Sequence, residues 1–302
     1  MRLGLSTSCL KEVSLPEVLR WAGESGLRSV EIDAPPLRGV PTWYQQASLN
    51  VAGLDGAARD AFVTALDKAG LRADALSCDS NFLDPDPGRR DTALAHLGRV
   101  VETAAVLGIG TVCLPVGRDP AVTLGECIAE FARRVQPVVQ DAEESGVRLA
   151  IDNSPRVGWQ FEDMPGNAAF SPELWEKLFT HLRSPAVGLA LDPAALAWIG
   201  VDPVAAVTDY AEKVFHVRAR DVEMLDLRRQ DCSVLRPGGG WWRYRLPGFG
   251  VIDWRRFMDR LHELEYDGAV VIAGDDPVWS GDLDKVKAGV GMAARHLGQF
   301  VP

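Results

Sequence analysis

Three short apolar segments of this chain end in a charged residue. Leu149–Asp152 and Leu189–Asp192 end in a carboxylate, and Val214–Arg218 ends in a cation. Uninterrupted apolar segments are typical of strands buried on both faces, so a charge at their carboxyl end is costly unless it has a partner or a chemical task. In a parallel α/β barrel that edge is the active-site face, where residues from several strands meet. These three strand ends are therefore where we expect chemistry.

The elements that must position those residues alternate along the 302-residue chain. Eight apolar segments, each followed by a segment of helical periodicity, predict one domain spanning 1–302, a closed (β/α)8 TIM barrel. An open doubly wound sheet is the alternative, but no G-x-G-x-x-G motif opens the first helix. The predicted strands are 2–6, 28–33, 72–78, 110–116, 148–153, 187–192, 213–219 and 268–274, and the predicted helices lie near 14–26, 55–70, 89–107, 122–146, 172–183, 202–211, 253–265 and 283–298.

Three β-to-α connections are long, at about 34–54, 154–171 and 220–252. All three follow strands, which places them on the functional face. Their aromatic residues either pack the loops down or wall a small-molecule pocket, and Trp159 and Trp242 are the stronger pocket candidates. The aromatic residues in these connections include Trp43, Tyr44, Trp159, Phe161, Trp241, Trp242, Tyr244 and Phe249.

Composition excludes several classes of protein. The chain has 42 acidic residues against 32 Lys and Arg, a net charge of −10, and the spread of acid argues against non-specific nucleic-acid binding. Five cysteines form no C-x-x-C pair, which indicates a reduced, cytoplasmic protein. Neither a signal-peptide pattern nor an apolar stretch of about 18 residues occurs, so we expect no membrane span.

Recognisable motifs run nearly from end to end of the chain. They are Gly4–Thr7, Ser29–Asp33, Asn81–Pro87, Val116–Asp119, Leu149–Asn153, Gly188–Pro193, Phe215–Asp221, Gly240–Gly248 and Ile252–Trp254. In these motifs the chain resembles the xylose isomerase-like TIM-barrel proteins called sugar phosphate isomerases/epimerases, a family that includes inosose dehydratase-like enzymes. The resemblance implies a TIM barrel and a small, sugar-like substrate.

The resemblance also implies a divalent metal held by Glu, Asp, His and Glu at the ends of strands five to eight. Arg and Ala cannot ligate a metal, and two carboxylates do not complete a Zn²⁺ or Mn²⁺ site. We therefore expect no metal and no cofactor, although weak Mg²⁺ binding through two carboxylates and water stays open. The family positions fall on Asp152, Asp192, Arg218 and Ala273, the usual D-P-x-H histidine falls on Ala195, and a histidine common after strand three falls on Asp79.

We hypothesise that Arg218 places its guanidinium roughly where the metal stood and pairs with Asp152 and Asp192. The two carboxylates are then the acid/base candidates, and Arg218 would stabilise an enolate-like oxygen. His216 lies two residues before Arg218 and so on the same side of the strand, which makes it a candidate proton donor. A hydrogen-bonded core histidine is the alternative interpretation of His216.

Eight further side chains are expected to bind substrate. Arginines suit an anionic or polyhydroxyl ligand, and the resemblance places Trp242 in the loop that covers the pocket. Loop-end aspartates are candidates too, although such residues often cap helices instead. The set is Trp242, Arg243, Arg245, Trp159, Asp79, Glu31, Arg220 and Asp275.

The sequence thus predicts a metal-independent enzyme that moves a proton on a small polyhydroxylated or cyclic carbonyl substrate. Isomerisation, epimerisation, dehydration and cyclisation all begin with the same proton abstraction. The alternatives are a non-catalytic barrel that binds a sugar-like ligand or a partner protein, and a metal-dependent isomerase that recruits Asp275 or Asp276. An AP-endonuclease-like nuclease fits poorly, because that chemistry needs several metals and this chain is acidic. We expect no nucleic-acid or membrane partner, and a homodimer or homotetramer.

Overall fold

Eight short parallel strands close into a barrel in the computed structural model, which describes residues 1–36, 46–157, 166–234, 240–274 and 276–301. Around the barrel the strands follow chain order, and the last pairs with the first. The predicted TIM barrel is therefore confirmed. The barrel strands are β1 (Arg2–Ser6), β2 (Ser29–Asp33), β3 (Arg72–Ser77), β4 (Thr111–Leu114), β5 (Arg148–Asp152), β6 (Val187–Leu191), β7 (Val214–Ala219) and β10 (Ala269–Ile272).

The helices cover the outside of the barrel and end where their sequence signals place them. Gly70, Gly108 and Gly146 each adopt a left-handed conformation just after a helix, with φ of 63°, 68° and 70°. The α-helices are α1 (Leu15–Glu24), α2 (Gly56–Ala69), α3 (Pro87–Leu107), α4 (Leu124–Ser145), α5 (Pro172–His181), α6 (Pro193–Trp198), α7 (Pro203–Asp209), α8 (Asp226–Cys232), α9 (Trp254–Glu263) and α10 (Leu283–Gly298). No helix within the described ranges has the length and apolarity needed to cross a membrane.

The long connection after β7 contains an antiparallel hairpin, β8 (Asp221–Met224) with β9 (Trp242–Arg245). Asp221 anchors this hairpin, because its buried carboxylate accepts hydrogen bonds from the Gly248 and Ile252 amides at 3.0 Å and from Trp254 Nε1 at 2.9 Å. The sequence predicts a long connection over 220–252 and no strands within it. The hairpin holds part of that loop beside the carboxyl ends of the strands.

Four small residues and one phenylalanine fill the middle of the barrel. Ala75, Cys113, Ala150, Ala190 and Phe215 form a separate buried cluster inside it, while the larger apolar core lies between strands and helices. Short side chains at mid-barrel leave space for longer polar ones just above, at the carboxyl ends. The fold therefore creates a polar chamber at the end of the barrel where chemistry was expected.

Candidate active site

A cavity of about 250 Å³ opens at the carboxyl ends of the barrel strands. Most of the described side chains in its wall are polar or charged. Its described lining comprises Ser6, Ser8, Glu31, Asp33, Ser77, Asp79, Asp152, Ser154, Arg156, Arg218, Arg220, Tyr244, Ala273 and Gly274.

Arg218 lies at the bottom of this cavity with its guanidinium enclosed by hydrogen bonds. Nε and Nη2 each donate to a different oxygen of Glu31 at 3.0 Å, and Nη1 donates to Asp152 Oδ2 at 3.0 Å. Nη2 also donates to Ser77 Oγ at 3.1 Å. Only 9% of the side chain is exposed. The expected pairing of Arg218 with Asp152 is therefore present, and Glu31 is its second carboxylate.

His216 lies on the same side of β7 as Arg218, as expected, and reaches the same acid. Its Nε2 is 2.7 Å from Glu31 Oε2. Burial alone would raise the pKa of Glu31, but the charge of Arg218 and the hydrogen bond from His216 outweigh burial and hold that pKa well below its usual range. Glu31 is therefore charged at neutral pH, and it fixes both β7 side chains. His216 itself lies outside the described cavity lining.

Asp152 holds a second arginine, Arg156, which is absent from the predicted site residues. Its Oδ1 accepts from the Ser154 amide at 2.7 Å, and its Oδ2 accepts from both Arg218 and Arg156. Arg156 also donates to Asp79 Oδ2 at 2.6 Å. Burial would raise the pKa of Asp152, but the charges of Arg156 and then Arg218 lower it below its usual value. Asp152 is therefore charged at neutral pH.

Asp192 does not pair with Arg218, which corrects that part of the hypothesis. Asp192 caps α6, and its Oδ1 accepts from the Ala194 and Ala195 amides at 2.9 and 3.2 Å. The capping geometry turns the carboxylate under the helix, where Arg220 binds its Oδ2 through Nε and Nη2. Burial raises the pKa of Asp192 despite the Arg220 charge.

Arg243 and Arg245, the predicted substrate-binding arginines of β9, form ion pairs within the hairpin and its surroundings, whereas Arg220 lines the cavity. Arg243 Nε donates to Glu223 Oε2 at 2.8 Å, and Arg245 binds Glu223 and Asp276 at 2.5 and 2.9 Å. Neither arginine belongs to the described cavity lining. Both bridge β9 to β8 through Glu223, and Arg245 also joins β9 to the loop after β10 through Asp276. Their predicted contact with substrate has no support in this geometry.

The other predicted binding residues divide into two groups. Trp242 stacks on Trp198, with ring centroids 4.3 Å apart and planes within 13°, in an aromatic wall next to the cavity. Asp79, Glu31 and Arg220 line the cavity itself. Trp159 and Asp275 lie outside the described residues, as do Trp43, Tyr44 and Phe161.

Several cavity residues had no place in the predicted set. Ser6 and Ser77 are the last residues of β1 and β3, so their position at strand ends is the sequence signal that marks them. The sequence predicts Tyr244 only as one of the aromatic residues of a long connection. Arg156 carries no sequence signal, since it lies in a connection and adopts a positive φ of 52° that only the fold determines.

The residues present do not fit the metal that the resemblance implies. Glu31, Cys113 and His216 are the described ligand-type side chains that come closest, with ligand atoms within 4.8 Å of one another. Burial, however, raises the pKa of Cys113 well above its usual range, so its thiol is not a thiolate. Glu31 is already bound by His216 and Arg218, whose cation would repel a metal.

The sequence and the fold of this chain are similar to those of several known barrel proteins. The family model described as "xylose isomerase-like TIM barrel" matches residues 19–294. The uncharacterized protein YfiH of Bacillus subtilis is 24% identical over 336 aligned positions, covering 100% of this chain and 99% of YfiH. Inosose dehydratase of Lacticaseibacillus casei is 25% identical over 138 residues, or 44% of this chain and 46% of that enzyme. The structure of D-psicose 3-epimerase from Clostridium cellulolyticum superposes with a TM-score of 0.72 at 13% identity, covering 100% and 99% of the two chains.

Proposed function

Because the chain belongs to the xylose isomerase-like TIM barrel family, we propose that it is a metal-independent enzyme that moves a proton on a small polyhydroxylated or cyclic carbonyl substrate. One observation carries this proposal. The Arg218 guanidinium lies between the Glu31 and Asp152 carboxylates at the bottom of the cavity, on the strand position where the resemblance places a metal ligand. A fixed organic cation thus takes the role of the inorganic one.

Arg218 can stabilise a developing oxyanion without reorganising. Its hydrogen bonds to Glu31, Asp152 and Ser77 hold the guanidinium in one orientation before a ligand arrives. A fixed charge in a partly enclosed cavity acts more strongly on charge that develops in the transition state than the same charge in water. Arg220 adds a second cation whose Nε and Nη2 are held by Asp192, which leaves Nη1 to reach a ligand oxygen.

Among the carboxylates, Asp79 is the one best placed to take a proton from substrate. Its side chain is 35% exposed and lines the cavity, whereas that of Asp152 is 1% exposed and that of Asp192 is fully buried. All three carboxylates have both oxygens paired, those of Asp79 with Arg156 Nη1 and Nη2 at 2.6 and 2.5 Å, so exposure to the cavity is what distinguishes Asp79. We therefore assign the general base to Asp79, and we assign to Asp152 and Asp192 the task of holding Arg218, Arg156 and Arg220.

The reaction begins with removal of a proton from the carbon next to the substrate carbonyl. The C–H electron pair moves into the new carbon–carbon double bond while the carbonyl oxygen gains negative charge beside the arginines. Return of the proton to either carbon gives isomerisation or epimerisation. Loss of a neighbouring hydroxyl as water gives dehydration. The names of the relatives, an inosose dehydratase and a D-psicose 3-epimerase, support sugar-like ketones as the substrate class.

Proton exchange with solvent tests this function without knowledge of the product. The chelator-dialysed protein is incubated in D₂O with D-fructose, D-psicose, D-tagatose and an inosose, and deuterium at carbon is followed by NMR. We expect enzyme-dependent deuterium incorporation into at least one probe, at a rate that added EDTA leaves unchanged. No incorporation into any probe, or incorporation only after a divalent metal is added, would overturn the proposal.

A ligand-binding barrel without turnover is the second candidate. It is favoured by the ion pairing of the cavity, where Arg156, Arg218 and Arg220 each contact at least one carboxylate. Because these arginines and carboxylates neutralise one another, they can form hydrogen bonds to the hydroxyl groups of a neutral polyol without any catalytic step. Calorimetric binding of a probe that shows no deuterium exchange would identify this function.

A further inference from the structure

Tyr244 brings a phenol hydroxyl into the cavity from β9 of the hairpin. The residue is partly buried and lines the cavity, and its Oη lies 3.5 Å from Ser154 Oγ, another lining atom. A distance of 3.5 Å is long for a hydrogen bond between hydroxyls, whose usual value is about 2.7–2.8 Å. The Tyr244–Ser154 contact is therefore weak, and a ligand oxygen can replace it.

A second contact sets the direction of the phenol proton. Trp198 Nε1–H donates to Tyr244 Oη at 3.2 Å. An indole nitrogen is only a donor, so the phenol oxygen must accept here and its own proton must point elsewhere. Trp198 is held in turn by its stack on Trp242. The Tyr244 hydroxyl can therefore donate its proton to Ser154 Oγ or to a ligand oxygen in the cavity.

The surroundings of Tyr244 also stabilise the phenolate that forms when the phenol loses its proton. The Arg220 guanidinium lies 4.2 Å from the centre of the Tyr244 ring. Burial raises the pKa of Tyr244, so the phenol is protonated at neutral pH, although Arg220 acts in the opposite sense. A transient phenolate would be stabilised by the Arg220 cation and by the Trp198 N–H.

We infer that Tyr244 is the proton donor to the substrate carbonyl oxygen, an inference that rests on the proposed function. As Asp79 takes the proton from carbon, the C–H electron pair forms the carbon–carbon double bond and the carbonyl π pair takes the phenol proton. The products of this step are an enediol, a neutral Asp79 and a Tyr244 phenolate. Return of one proton to carbon and of the enediol proton to Tyr244 restores both side chains, so no oxidant, reductant or further reactant is needed.

His216 is the competing donor and is less well placed. It lies beneath Arg218, its Nε2 is committed to Glu31, and it is 1% exposed. A proton from His216 would have to pass Arg218 to reach a ligand. Tyr244 is in contact with the cavity directly.

The test compares Tyr244→Phe with wild type in the deuterium-exchange assay, using the probe that wild type exchanges fastest. The variant keeps the ring over Arg220 and removes only the hydroxyl. Tyr210→Phe is the matched control, because the Tyr210 hydroxyl donates to Glu176 at 2.6 Å on an exposed face of the protein. We expect Tyr244→Phe to lower kcat for exchange by about 100-fold or more while KM changes less than about threefold. Tyr210→Phe should match wild type.

The outcomes separate the two proposals. Exchange by wild type together with a kcat for Tyr244→Phe within a few-fold of wild type would overturn the role of Tyr244 and leave the proposed function in place. A rise in KM at unchanged kcat would assign Tyr244 to binding and likewise overturn its role as donor. Absence of exchange by wild type would overturn the proposed function and the role of Tyr244 with it. Trp198→Phe, which removes the orienting N–H, should lower kcat by about tenfold.

Discussion

Replacing Arg218 with methionine should lower the free energy of unfolding by about 3–5 kcal/mol at neutral pH, measured by urea denaturation. Methionine approximates the length of the arginine stem but carries no charge. The substitution leaves the Glu31 and Asp152 carboxylates buried, at 2% and 1% exposure, without the cation they share. A buried charge that loses its partner costs far more than an exposed one.

The pH dependence of this loss has a definite sign. In wild type the pKa values of Glu31 and Asp152 are lowered in the folded state. Their contribution to the free energy of unfolding is therefore present above the unfolded-state pKa of about 4 and is lost as the pH falls below it. In the variant Glu31 loses the cation that lowers its pKa most and keeps only His216, so burial raises its pKa, whereas Asp152 keeps Arg156. The folded variant then binds protons more readily than its unfolded chain. The difference in free energy of unfolding between wild type and Arg218→Met should therefore narrow as the pH falls from 7 towards 4.

Arg133→Met is the matched control for Arg218→Met. Arg133 is 66% exposed and pairs with Glu130 on the surface of α4, where water screens the pair. This change should leave the stability almost unaltered. If Arg218→Met lowered the free energy of unfolding as little as Arg133→Met, or if its destabilisation grew as the pH fell, Arg218 would not be the cation that stabilises the two buried carboxylates.

Replacing Asp79 with asparagine should reduce the rate of substrate deuterium exchange by about 10²- to 10⁴-fold, the range typical for loss of a general base. Asparagine keeps the size of the side chain and one of the two oxygens that accept from Arg156, but it cannot take a proton. Stability should change little, because Asp79 is 35% exposed and Arg156 keeps Asp152 as its partner.

Asp86→Asn provides the control on the same connection. Asp86 caps α3 by accepting from the Arg89 amide at 2.8 Å, and asparagine caps a helix equally well. Exchange by Asp86→Asn should equal that of wild type. A rate for Asp79→Asn within a few-fold of wild type would instead return Asp152 to the position of candidate base.

Much of the architecture could be predicted from the sequence, because burial of a strand on both faces leaves a strong apolar pattern. All eight predicted barrel strands are present, and the glycines after α2, α3 and α4 mark the predicted helix ends. The contact between Arg218 and Asp152 was also predictable. Both residues end strands of a closed barrel, and topology alone brings such ends together.

Pairings that depend on local geometry could not be predicted in the same way. The capping of α6 decides that Asp192 meets Arg220 and not Arg218. Likewise, Arg156 binds Asp152 from a connection in which its backbone adopts a positive φ, a local conformation that no residue pattern marks. The hairpin of β8 and β9 has strands of four residues each separated by a long connection, so no tight-turn signal marked it.

The central claim, that a guanidinium stands in place of a metal, is tested most directly by the metal content of the purified protein. The measurement is ICP-MS on protein prepared without a histidine tag and without chelator, with the same sample assayed for deuterium exchange. Our account predicts metal far below one equivalent in a sample that exchanges substrate protons. Near-stoichiometric Mn, Zn, Co or Mg in the active sample would contradict it and would restore a metal-dependent mechanism.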